Sequence, residues 1–326
     1  MGAYVLRRIL IAIPVLIGIT IVSFTALSLA PGDPLLARLD PAILARIQAD
    51  PTRLAKLRHE LGLDQPLPFR YLLWLGGAIQ GDFGYSIASH RTIIFEISKR
   101  IPPTLALMGA ATSIALIVGI PFGVLSALRQ YSKADYALTS ATMFMASTPT
   151  FVLGLASIYI FAVWLHLVPS GGIQTLGRPF NLPDFAWHMA LPALVLGLSS
   201  AAPLMRYTRA SMLDVLNSDY ITTARAKGLV PRKVVIRHAF RNSLIPIITV
   251  VGLLLPELVG GAVITEQIFS WPGMGQMAVR AASDRDTALM MGLVLIVGIA
   301  VLATNILVDV MYAVVDPRVR LGRSSG

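Results

Sequence analysis

The 326-residue chain has no cysteine. That excludes a disulfide framework, a thiolate metal site and a cysteine nucleophile. Charge is scarce too: Asp, Glu, Lys and Arg together make up 13% of the residues, against about 25% in ordinary soluble domains. So few charges do not coat a soluble surface. With 55% hydrophobic residues and a mean hydropathy of +0.71, the composition excludes a soluble globular enzyme and points to a membrane-embedded chain. No Gly-x-x-x-x-Gly-Lys-Ser/Thr run occurs, so the sequence has no phosphate-cradling loop of that kind, and no His-Glu-x-x-His metal site either. Acidic residues are outnumbered by basic ones, 17 against 27, for a net charge of +10. A basic chain raises nucleic-acid binding. The basic residues sit between hydrophobic runs, however, so membrane topology is preferred and no nucleic-acid partner is expected.

The long hydrophobic runs give an all-α polytopic membrane protein with six transmembrane helices. Ile9–Ala30 is 22 residues without a charge, enough to cross a hydrocarbon core of roughly 30 Å. Ser28-Leu29-Ala30 looks like a signal cleavage site, but the run exceeds a signal core and Pro31 follows directly. A retained first span is therefore expected. The second run is Pro103–Leu128, with Gly119 and Gly123 spaced for close helix packing. The third lies inside Tyr136–Val168 as one tilted or kinked helix, with the kink at Pro149. Trp187–Met205, Leu244–Phe269 and Leu289–Val315 complete the set.

Six spans put both termini on one side. That side collects 15 Lys and Arg residues: Arg7 and Arg8, Arg129 and Lys133, eight within Arg206–Arg241, and Arg318, Arg320 and Arg323. The opposite short loops hold Arg178, Arg280 and Arg285. The positive-inside rule places both termini in the cytoplasm. Three regions follow: residues 1–30 as the N-terminal end and first span, 31–102 as an extracytoplasmic segment, and 103–326 as the core, with a cytoplasmic loop at 206–243. Within 31–102, Asp50-Pro51 and Gly62 bracket a short helix, Pro51–Leu61. The segment is a packing cap on the bundle or a docking surface for an outer partner.

The loop reads Ser218-Asp219-Tyr220-Ile221-Thr222-Thr223-Ala224-Arg225-Ala226-Lys227-Gly228. Ser218 suits a helix N-cap. Asp219 suits the positive end of the helix dipole, and Arg225 and Lys227 the negative end. Gly228 is a stop and Pro231 a fresh start. Two short helices joined by a tight turn are expected. They form either a solvated basic loop or a rigid knob that fits a partner's groove.

This run resembles the conserved cytoplasmic loop of binding-protein-dependent ABC importer permeases. Their Glu-Ala-Ala triplet falls here on Thr222-Thr223-Ala224, without the acid, and their later proline falls on Arg241. The resemblance is closer to the dipeptide, oligopeptide and nickel permeases of the first-subunit type. It runs through Tyr4-Arg7-Arg8, Pro31-Gly32-Asp33-Pro34, Leu61-Gly62-Leu63-Asp64, Gly81-Asp82-Phe83-Gly84-Tyr85-Ser86, Arg237-His238-Ala239-Phe240-Arg241-Asn242, Trp271-Pro272-Gly273-Met274-Gly275 and Asp316-Pro317-Arg318-Val319-Arg320. It implies the type I-like architecture of such permeases in a bacterial inner membrane. It implies a non-catalytic subunit with a second permease, two ATPase subunits gripping residues 218–228, and an extracytoplasmic receptor. No cofactor is expected on this chain; ATP and Mg²⁺ belong to the partners. Di- or oligopeptides are the first cargo, with nickel, glutathione-like peptides and sugars as alternatives.

Glu257, after Pro256 in the fifth run, is costly at membrane depth. It either lines the pathway or pairs with an Arg or a backbone donor of a neighbouring helix. Glu266 reads as an ordinary residue near the outer interface. Asn305, Asp309, Tyr312 and Asp316 share a face of the last run and form a polar seam. His166 and His188 read as interfacial, and Trp164, Trp187 and Trp271 as aromatic-belt anchors. No metal ligand set and no catalytic residue emerge. An intramembrane hydrolase built on Ser199 or Ser200 with a histidine, and a stand-alone secondary transporter, are the rival classes.

Overall fold

The computed structural model describes residues 2–29 and 64–315, and the side chains of these apart from 2–5, 245–246, 253–262 and 311–315. The expected helix Pro51–Leu61, the Pro31–Pro34 and Leu61–Leu63 runs, and Asp316–Arg320 lie outside the described residues. Two compact units emerge, Met1–Pro102 with Gln276–Leu302 and Pro103–Gly275 with Ala303–Gly326.

In the first unit, α1 (Gly2–Leu29) is followed by α2 (Leu67–Ile79). The α1 helix carries few polar side chains, and one of them meets α2: the buried Thr20 hydroxyl lies 2.9 Å from the Tyr71 hydroxyl. Phe24 stands edge-on to Tyr71, with ring centroids 5.6 Å apart. Pro68 in the first turn of α2 suits a position where no intrahelical N–H bond is due. After α2 the chain turns at Gly81 and Gly84, both at positive φ. The Asp82 carboxylate accepts from the Gly84 N–H. Asp286 then fixes the turn from two sides. Its Oδ2 accepts from Ser86 Oγ and the Ile87 N–H, both at 2.7 Å. Its Oδ1 accepts from the Leu289 N–H at 3.0 Å and so caps the last helix. Gly81–Ser86 is thereby explained locally, as a turn tied to a helix start.

In chain order, α3 is Ile93–Leu128, α4 Lys133–Ser147 and α5 Thr150–Ser157. The last continues as a π-helix over Ile158–Trp164. α6 is Leu182–Leu216 and α7 Asp219–Ala226. α8 (Pro231–Lys233) passes through a π-helical stretch, Val234–Phe240, into α9 (Arg241–Ile268). α10 is Met274–Ser283 and α11 Thr287–Val315. Among the described residues no strand forms; Tyr85 and Thr92 make an isolated antiparallel bridge.

The all-helical expectation holds, with differences in the spans. Among the described residues four helices are long and apolar enough to cross a membrane, or five if α4 and α5 are one broken span. The α4–α5 axis bends by 102°, far beyond a proline kink. Pro149 is the N-cap of α5, so it opens a new helix rather than bending an old one. The second span extends ten residues before Pro103, since α3 starts at Ile93.

Close backbone approach organises the second unit. A Cβ at Gly123 would lie 2.6 Å from Thr208 Cβ and 2.7 Å from the Met205 carbonyl; one at Gly119 would lie 3.0 Å from the Ala201 carbonyl. The spacing of these two glycines thus serves α3–α6 packing, as expected. Gly197 returns the favour, facing the Ala111 carbonyl of α3 at 2.8 Å. Below this contact Leu107, Ala111, Ala193, Leu196 and Trp271 form a buried cluster. Trp271 is fully buried, its Nε1 donating to the Pro103 carbonyl at 3.0 Å. It is a core residue and not a belt anchor. Trp164 and Trp187 are exposed, at 71% and 51%.

Candidate coupling site on the α6–α9 loop

The 206–243 segment folds against the ends of three helices. Ile221 and Ala224, three residues apart and so on one face of α7, are buried. They join Ala127 of α3, Met212 of α6, and Val234 and Ala239 of the π-helical stretch in one apolar cluster. The other face of α7 carries Asp219, Tyr220, Thr222, Thr223, Arg225, Ala226 and Lys227, all exposed. Short polar bonds stiffen it. Asn242 Nδ2 donates to the Tyr220 hydroxyl at 3.0 Å, and Thr223 Oγ1 to the Asp219 carbonyl at 3.0 Å.

The helix stop follows the sequence expectation. Gly228 has φ of 73°. Its N–H donates to the Arg225 carbonyl at 2.9 Å and the Leu229 N–H to the Ala224 carbonyl at 3.4 Å. This pair of bonds is the Schellman arrangement, and it needs a left-handed residue at the glycine position. Leu229 then packs on the cluster that holds Ala224.

Two expectations are corrected. Ser218 occupies the N-cap with extended geometry but makes no side-chain cap. Its hydroxyl donates instead to the Val215 carbonyl at 2.6 Å, tying the loop back to the end of α6. The second short helix is not separate either. Pro231 opens a helical run that continues without interruption through the π-helical stretch into α9. The π-helical stretch covers most of Arg237–Asn242, a local geometry often found at functional positions.

Beside this loop lies an ion pair that sequence reasoning missed. Arg209 of α6 holds the Asp135 carboxylate of α4 in a fork: Nε to Oδ1 and Nη2 to Oδ2, both 2.8 Å. Asp135 also accepts from Ser126 Oγ of α3 and, at 2.9 Å, from the Tyr131 N–H. Ser132 caps α4 by accepting from the Asp135 N–H at 3.2 Å. One carboxylate thus binds α3, α4, α6 and the left-handed turn at Tyr131. The Ser132-x-x-Asp135 pattern before an apolar run signals the helix start. Nothing in the sequence signals a partner 74 residues away.

Glu266 is likewise corrected. It is fully buried and accepts from Thr104 Oγ1 at 2.6 Å. Thr104 Oγ1 in turn accepts from the Met274 N–H at 2.8 Å. Trp271-Pro272-Gly273-Met274-Gly275 wraps this carboxyl group, leaving no room for a side chain at Gly273. His188 is buried as well, its Nδ1 2.9 Å from the Gly171 carbonyl, whereas His166 is exposed. The Ser200 hydroxyl bonds the Leu196 carbonyl at 3.0 Å. The side chains of Glu257 and Tyr312, and all of Asp316, lie outside the described residues.

Comparison with known proteins agrees with this picture. The family described as binding-protein-dependent transport system inner membrane component matches residues 119–321. Its N-terminal counterpart matches residues 1–108. The chain is 46% identical over 320 residues to the oligopeptide transport system permease protein AppB of Bacillus subtilis, covering 98% of this chain and 99% of that one. It is 38% identical over 338 aligned residues to the dipeptide transport system permease protein DppB of Escherichia coli, covering 97% and 98%. In fold it is similar to a chain of the MetNI methionine ABC transporter in inward-facing conformations, with a TM-score of 0.57 at 18% identity over 68% of this chain and 97% of that one. The chain belongs to the inner membrane component family of binding-protein-dependent transport systems.

Proposed function

We propose that this chain is the permease subunit of an ABC importer for di- and oligopeptides, forming half of the translocation pathway with a second, homologous permease. Six spans, both termini in the cytoplasm and an outer 31–102 segment complete the topology, supported by the charge asymmetry of the loops. Two ATPase subunits bind and hydrolyse ATP with Mg²⁺, and an extracytoplasmic receptor delivers the cargo. The chain itself is non-catalytic. Peptide cargo is supported by the names of relatives 46% and 38% identical over nearly the full length. Nickel, glutathione-like peptides and sugars are the alternatives.

One observation carries the coupling role. α7 is anchored by Ile221 and Ala224 within the unit and exposes its opposite face from Asp219 to Lys227. An anchored helix with a free polar face transmits force as a rigid body. ATP-driven approach of the ATPases would move α7 and, through Pro231–Phe240, the head of α9. Glu257 is placed on the pathway in this scheme.

The test is co-purification of the chain from its native operon, followed by an ATPase assay with receptor and a peptide mixture. A second permease and ATPase should co-purify, and loaded receptor should raise hydrolysis several-fold. A homo-oligomer without ATPase would overturn the proposal in favour of a stand-alone transporter.

A further inference from the structure

The α4–α5 break opens a cavity of about 420 Å³, within the range of small-ligand sites. It is lined by Ser147, Pro149 and Thr150 at the break and by Ser199, Pro203 and Arg206 of α6. Three features make it a site rather than a gap. Arg206 is exposed and forms no ion pair among the described residues, and none of the lining residues is acidic. α5 begins at Thr150, so its first amides and the positive end of its dipole face the break. Ser199 Oγ is shielded from solvent and has no hydrogen-bond partner, and Pro203, four residues on, has no N–H to return to the Ser199 carbonyl. A cation and a helix start meet where the helix is discontinuous, with a buried, unsatisfied hydroxyl beside them, and in transporters helix starts at such breaks receive anionic groups of the cargo.

We propose that this cavity is a cargo subsite that holds the C-terminal carboxylate of a passing peptide, with Arg206 as its charge partner. The inference rests on the peptide reading above and adds a position and a chemistry to it. A carboxylate suits Arg206 because the guanidinium offers two parallel N–H donors. A weak, single-charge subsite also suits transit, since the cargo must leave as readily as it enters.

The test uses the complete reconstituted transporter, with its receptor, in proteoliposomes. Uptake of radiolabelled trialanine and of trialanine amide is measured for the wild type, Arg206→Gln and Arg206→Lys. Receptor preference is common to all arms and cancels when the acid-to-amide uptake ratio of each variant is divided by that of the wild type. Loss of a charge-assisted contact lowers that ratio about tenfold in Arg206→Gln, and Arg206→Lys retains an intermediate value. The ratio is independent of how much complex assembles. An unchanged ratio in Arg206→Gln, with brisk uptake of trialanine by the wild type, overturns the subsite alone. Failure of the wild type to move either peptide overturns the peptide reading and the subsite together. An effect of Arg206→Gln that appears only in liposomes containing phosphatidylglycerol assigns the cavity to a lipid phosphate and overturns it as a cargo site.

Discussion

Arg209→Ala should destabilise the permease by roughly 3 kcal/mol, because it strands the Asp135 carboxylate. Breaking a buried pair costs about 3–5 kcal/mol when one charge is left uncompensated. The low end applies because Arg209 keeps 26% of its side chain exposed, against 4% for Asp135. Ser126 and Tyr131 still donate to the carboxylate in the variant, which also limits the loss. Removing both charges is a different experiment. Asp135→Asn with Arg209→Ala leaves no stranded anion and should cost less than the sum of the single changes, the non-additivity expected of a contacting pair. Thermal unfolding in detergent reads both effects. If the double variant is as unstable as the sum, the two side chains act separately and the pair is not the joint between α3, α4 and α6.

Gly273→Ala should be at least as damaging. A Cβ at Gly273 would fall on the Glu266 carboxyl group, and the backbone on the far side is fixed by the Met274 N–H bond to Thr104. Overpacking costs about 1–3 kcal/mol, and pushing the carboxyl off Thr104 adds about 1 kcal/mol for the lost hydrogen bond. Little folded protein should survive extraction. Adding Glu266→Ala removes the group that is struck, so the double variant should regain part of the folded yield. Normal yield of Gly273→Ala alone would show that the loop moves aside freely. In that case Trp271–Gly275 would not hold the Glu266 carboxyl group in place.

These two residues also show where the sequence stops being informative. The four helices long and apolar enough to cross a membrane were legible because a long hydrophobic run has one physical use. Gly119 and Gly123 were legible because their spacing is helical and their missing side chains imply a neighbouring backbone. Gly228 and Pro231 were legible because each restricts its own φ, a local property. Glu266 and Trp271 were not. Composition says that a tryptophan favours an interface and an acid avoids hydrocarbon, but neither says which side chain the chain folds over. The Asp135–Arg209 pair joins residues 74 apart, and no local pattern encodes that distance. Ser218 fits the N-cap position, yet its hydroxyl had a competing acceptor in Val215 one turn back, a choice set by how α6 ends. The break at Pro149 was half legible: a proline marks a discontinuity, but the 102° bend depends on what α5 packs against, namely Ile268 and Phe269 around Leu153 and Ile158.

The central claim is that α7 transmits motion because it is rigid at both ends, held by Ile221 and Ala224 and stopped at Gly228 by a defined hydrogen-bonded turn. The most direct measurement inserts Gly-Ser-Gly-Ser after Gly228 and follows peptide uptake and ATP hydrolysis together in reconstituted transporter. Hydrolysis should continue while uptake falls at least tenfold, because under the proposed coupling the ATPases would still engage α7 but no longer drive Pro231–Ile268. Uptake at the wild-type rate would contradict the account and reduce α7 to a solvated loop.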